Sequence, residues 1–144
     1  MIHSDTIKLL RECNAGIKMG VASIEDVVDR VVDYDMYNIL NKSRDEHNEL
    51  GSKTRQLLND YDDSGKEPNP IVKGMSKMKT TIKLTVNSTD AAVADLMTDG
   101  CNMGVKSLSR YLNQYPAAEE QVKDIAKKLI KIEEKLSVDM RSFL

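Results

Sequence analysis

Apolar side chains along this chain recur at alternating steps of three and four. Ile7, Leu10, Asn14, Ile17, Val21, Ile24, Val28 and Val31 mark one face of a helix, with Asn14 the single polar residue among them. Ser4 or Asp5 is the predicted N-cap. Met36, Leu40, Ser43, His47, Leu50, Thr54, Leu57 and Tyr61 repeat the pattern, and the stripe changes phase near Asp33-Tyr34-Asp35, which predicts a tight turn between two helices. The run Asp62-Asp63-Ser64-Gly65-Lys66-Glu67-Pro68-Asn69-Pro70 is dense in turn residues and breaks the pattern. A short helix is predicted from Ile71 to Val86, with Met75, Met78, Ile82 and Val86 on one side. Asn87 to Asp90 supply N-cap residues for a third long helix from Ala91 to Tyr115, which Pro116 stops. Val122, Ile125, Leu129, Ile132, Leu136, Met140 and Phe143 form the stripe of a fourth. Its outer face offers Glu119 to Lys123 and Asp124 to Lys128 in the favourable order.

A short internal repeat organises these elements. Cys13-Asn14-Ala15-Gly16-Ile17-Lys18 returns as Cys101-Asn102-Met103-Gly104-Val105-Lys106, in the first and third long helices. The expected architecture is all-α: a four-helix bundle of two repeated helical hairpins, residues 3–63 and 89–144, joined by a crossover at 64–88 that contains the short helix. The whole chain reads as a single helical domain.

Composition narrows the class. The 144 residues are 31% charged and 40% hydrophobic, a globular balance. Eight Met, one Phe and no Trp suit helix packing better than a sandwich core. The net charge of −2, with both signs interspersed, gives no footprint for nucleic acid or an anionic membrane. The start lacks the pattern of a signal peptide, and no apolar run spans a bilayer, so the expectation is a cytoplasmic protein with reduced thiols.

Few positions carry candidate chemistry. Gly16 and Gly20, and likewise Gly100 and Gly104, are spaced four apart inside helices, where each glycine costs about 1 kcal/mol relative to alanine. Close approach of the first and third helices is the predicted reason, with space for a ligand as the alternative. Cys13 and Cys101 read as buried inert thiols, or else as a redox pair or soft-metal site near the bundle centre. Asn14 and Asn102, at or beside the core stripe, are expected to hydrogen-bond across the bundle. His47 on the second stripe reads as a satisfied core histidine. Glu12, Asp99 and Glu133 flank core faces and read as half-exposed acids, with a metal-ligand role for these three and His47 as the sharper alternative.

Two hairpins, a long crossover and polar insertions in the core resemble the ferritin-like superfamily. The stretches Pro70-Ile71-Val72-Lys73-Gly74-Met75, Lys79-Thr80-Thr81-Ile82-Lys83 and Gly100 to Tyr111 resemble, more narrowly, an uncharacterised bacterial ferritin-like family. Iron-binding members of the superfamily carry a Glu on each of two helices and Glu-x-x-His on each of the other two. Here no Glu is followed three residues later by His, and Arg44 precedes His47 at that spacing. The resemblance therefore implies a bundle without the two-iron centre, with no cofactor and no catalytic residues. Such a bundle would act by protein interaction or as a homo-oligomer. The alternatives are a metal-binding or oxidase-type protein with an unconventional site, and a thiol-redox protein using Cys13 and Cys101. The sequence predicts that the space between the hairpins is filled by side chains.

Overall fold

A computed structural model describes residues 2–61 and 89–144, and the predicted short helix of the crossover lies outside them. Among the described residues every regular element is helical. Helix α1 is Ile2–Val27, continued by a 3-10 turn at Val28–Arg30, and α2 is Tyr34–Asp60. Helix α3 is Asp90–Gln114 and α4 is Glu120–Met140, with a final 3-10 turn at Arg141–Phe143. None of these helices is long and apolar enough to cross a membrane.

The helices pack in the order α1–α2–α4–α3 around the bundle, and α1 also meets α4 across one diagonal. The apolar stripes drive this arrangement. Met36, Leu40, Ser43, His47, Leu50 and Thr54 are all buried on α2, as their three-and-four spacing predicts. On α1 the buried positions spread wider than one stripe: Leu9, Cys13, Ala15 and Val27 join Leu10, Ile17, Ile24 and Val28. A helix with neighbours on three sides needs more than one apolar face.

Side-chain caps start α2 and α3. The Asp33 carboxylate accepts from the Met36 amide at 2.9 Å, and the Thr89 hydroxyl accepts from the Ala92 amide at 3.1 Å. Ser4 and Asp5 are not the N-cap of α1, because the helix already begins at Ile2. Instead Asp5 accepts from the Ala117 amide at 3.0 Å and Thr6 from the Glu119 amide at 3.0 Å, so the start of α1 clamps the α3–α4 turn. The converse clamp is made by Asp90 at the start of α3, whose two carboxylate oxygens accept from Val32 and Asp33 amides at 2.9 Å each. These contacts place each end of α1 beside the opposite end of α3, so the two run antiparallel.

The core divides in two. One apolar cluster holds Leu9, Leu10, Cys13, Ile17, Leu50, Leu108, Val122, Ile125 and Leu129. The other holds Ile24, Val27, Met36, Leu40, Val93, Met97, Cys101, Leu136 and Met140. Between them, along the middle turns of the four helices, lies a polar level with a cavity.

Candidate functional site

His47 and Glu133 meet at this level. The α2 stripe carries His47 inward, where it is fully buried. Its Nδ1 lies 2.7 Å from the Ser43 carbonyl, which only accepts, so this nitrogen donates. Its Nε2 lies 2.9 Å from Glu133 Oε1 on α4. Burial is the largest single influence on the imidazole and disfavours its charge. The hydrogen bond and charge of Glu133, the Ser43 carbonyl and the charge of Glu46 together outweigh it, and the pKa is raised above its ordinary value. The buried imidazole is therefore biased toward its protonated form, held between the Ser43 carbonyl and the Glu133 carboxyl.

Glycines make room for the pair. An added Cβ at Gly20 would stand 2.6 Å from both Cδ2 and Nε2 of His47, and one at Gly104 would stand 3.6 Å from Glu133 Cδ. At Gly16 the same atom would meet only the Leu129 side chain, at 3.5 Å. The predicted close approach of backbones is thus corrected: Gly16, Gly20 and Gly104 open space for side chains of α2 and α4. With Gly100 they also line a cavity of about 210 Å³ along the α1–α3 seam. The expectation that side chains fill this space is likewise overturned. Glycines of α1 and α3 line the space from both sides of the seam, and the neighbouring side chains do not close it.

The cavity wall is mostly apolar, with Met19, Ile24, Met97, Leu108 and Leu136 among its lining. Polar groups interrupt it at Glu12, Tyr111, Cys101 and the His47–Glu133 pair. Glu12 is half-buried, and its Oε2 is shielded from solvent without a hydrogen-bond partner. Burial raises its carboxyl above the usual range, opposed by a hydrogen bond from Tyr111. The Tyr111 phenol is in turn pushed up to about 12 by burial and by Glu12.

The other predicted positions divide. Glu133 is buried, at 8% exposure, rather than half-exposed. Asp99 is exposed and does not line the cavity. Asn14 is buried, whereas Asn102 is exposed, with its Oδ1 3.4 Å from the Ser137 hydroxyl. The matched asparagines of the repeat therefore stand in unlike surroundings. Cys13 and Cys101 are free, buried and in different apolar clusters. Burial, then the charge of Glu12, pushes the Cys13 thiol up to about 12. Burial, then the charge and hydrogen bond of Glu133, pushes Cys101 up further. Both thiols are held protonated, the unreactive form.

Tyr111 was not among the residues the sequence singled out for chemistry. Its signal was position: it lies three residues beyond Leu108, on the seam-facing side of α3. Glu133 had a signal as well, since it falls four residues after Leu129 and three before Leu136, inside the α4 stripe.

Glu133 acts on both the Cys101 thiol and the His47 imidazole, and burial together with this carboxyl holds the thiol toward its protonated form. The residues do not fit a two-iron centre. Such a centre needs carboxylates to bridge two cations and imidazoles to complete their coordination. Here one buried histidine has both nitrogens engaged, and among the described residues no group of three or more His, Cys, Asp and Glu is placed to hold a metal ion. Comparison with known protein families, with curated proteins and with solved structures finds no match to this chain.

Proposed function

We propose that this chain is a non-enzymatic, ferritin-like bundle that works by binding, with the mid-bundle cavity as its binding element. The observation that carries the reading is the cavity itself: about 210 Å³ of mostly apolar space lined by four helix-interior glycines. A side chain in place of Gly16 or Gly104, where the neighbours leave ordinary contact distances, would recover helix propensity. An apolar cavity of about 150 Å³ already suffices to hold a benzene-sized guest. The His47–Glu133 pair supports the reading as a rigid polar floor that keeps the helices apart at this level.

The test is the melting temperature of the full chain with and without 1-hexanol, a slim neutral probe. A ligand at about ten times its Kd stabilises by about 1.4 kcal/mol, a rise of roughly 3–5 °C at this size. Gly104→Leu, which fills the cavity, removes the rise. Equal responses from wild type and Gly104→Leu would overturn the reading.

A second reading, association through protein contacts, has its own support. Val32 is 89% exposed, Tyr34 75% and Tyr37 40%, grouped at the α1–α2 turn and the first turn of α2. Apolar and aromatic side chains left in water at one end of a bundle suit contact with another chain, a second copy included. Sedimentation equilibrium of the wild type against Tyr34→Glu tests it: an assembly that the variant dissolves supports self-association through this end. A monomer at every concentration contradicts self-association.

A further inference from the structure

Glu12 gives the cavity a polarity. The cavity lines α1 from Glu12 to Ile24 and α3 from Met97 to Tyr111. Twelve residues of helix are about 18 Å, so its small volume is drawn out into a slot along the seam. The far part is Met97, Ile24 and Leu136, while Glu12 and Tyr111 stand together near the other end. One Glu12 oxygen takes the Tyr111 hydroxyl, while Oε2 is buried and unpartnered. A buried carboxylate oxygen without a donor is costly, and the cost falls when a donor arrives.

We infer that the slot takes a slim primary amine, its ammonium at the Glu12 carboxylate beside Tyr111 and its alkyl chain along the glycine-lined seam toward Met97. This deepens the binding reading above and rests on it. Two features favour an amine over other head groups. Glu12 is the acidic side chain at this end of the lining, and an ammonium is donor-only with three protons. The cation also offsets the burial that penalises the Glu12 charge. Of the basic side chains on the lining, His47 is paired with Glu133 at mid-bundle, and Arg110 is exposed, where water screens it. A neutral alcohol meets the same walls but leaves Glu12 without a counter-charge, and a carboxylate places two like charges together.

The experiment measures binding of 1-hexylamine, 1-hexanol and hexanoate to the full chain by calorimetry at neutral pH, on wild type and on Glu12→Gln. The expected result is hexylamine tighter than hexanol by about tenfold or more, as befits a buried charge-assisted hydrogen bond, with hexanoate weakest. Glu12→Gln brings hexylamine to within about threefold of hexanol while hexanol binding is kept. Hexylamine and hexanol binding equally to the wild type would overturn the amine inference and leave the cavity reading standing. Hexanoate binding tightest would overturn it in favour of an anion held by Arg110. No binding of any of the three would overturn both. The wild-type comparison decides the matter even if Glu12→Gln fails to fold.

Discussion

Two glycines of α1, one helical turn apart, should respond to the same substitution in opposite directions. At Gly20 an alanine Cβ would stand 2.6 Å from Cδ2 and Nε2 of His47 and 3.3 Å from Glu133 Oε1. Carbon contacts settle at about 3.5–4.0 Å, so the ring must retreat by about 1 Å. The ring is not a loose end, because its nitrogens are tied 2.7 Å from the Ser43 carbonyl and 2.9 Å from Glu133. Retreat stretches one of these bonds. A buried hydrogen bond to a charged group is worth about 1.5–3 kcal/mol, and overpacking costs about 1–3 kcal/mol. Against this, alanine regains about 1 kcal/mol of helix propensity. The net for Gly20→Ala is a loss of about 2–4 kcal/mol and a melting temperature lower by roughly 6–15 °C. At Gly16 the new Cβ meets only Leu129 at 3.5 Å, an ordinary contact, so the propensity gain stands alone. Gly16→Ala should be neutral or more stable by up to about 1 kcal/mol. Urea denaturation followed by circular dichroism measures both. In a His47→Ala background Gly20→Ala should become harmless, since the ring it strikes is gone. Equal stability of Gly20→Ala and Gly16→Ala in the wild-type background would refute the placement of His47 on the Gly20 Cα.

Further outcomes follow from the same geometry. Glu133→Leu strands a buried imidazole and should cost about 3–5 kcal/mol, whereas the double change His47→Leu with Glu133→Leu should recover most of that loss in a denaturant titration. Because the His47 pKa is raised in the folded state, its contribution is complete below the unfolded value near 6.5 and is lost as pH rises through the folded one. Denaturation midpoints should therefore fall as pH increases above about 6.5, and a flat profile in His47→Leu assigns the slope. Both cysteines should resist a thiol reagent in the native protein and react only with added denaturant, since burial first and neighbouring carboxylates second hold them protonated; fast native labelling would contradict this. Asp90→Ala removes two hydrogen bonds to the α1–α2 turn and should cost about 1–2 kcal/mol, read as a shift in urea midpoint.

The helices were legible in the sequence because their evidence is local. Every stripe position from Met36 to Thr54 on α2 is buried, Ser43 and His47 included, and spacing alone missed only the buried Gly51 in that span. What the sequence misread depended on partners distant along the chain. Asp5 looked like a cap for its own helix, but the amide it holds belongs to Ala117. The glycines signalled that something lies close to α1 and α3, without saying that it is an imidazole, a carboxylate and open space rather than another backbone. Glu133 sat in register with Leu129 and Leu136, yet an acid in a stripe reads as solvated until its partner is known, and His47 lies 86 positions away. The repeat marked the matched glycines Gly16 and Gly104, but it could not distinguish buried Asn14 from exposed Asn102, because burial depends on helices that each copy meets differently.

The central claim is that the glycine-lined space is a binding cavity, and methionine methyl resonances test it most directly. Met19, Met97 and Met103 line the cavity, whereas Met36 and Met140 are buried in the second apolar cluster and do not line it. With methyl-labelled methionine in the full chain, titration with 1-hexanol should move the signals of Met19, Met97 and Met103 along saturating curves with one shared Kd. Met36 and Met140 should stay in place. Saturable shifts confined to Met36 and Met140, or no saturable shift at any of the five, would contradict the account.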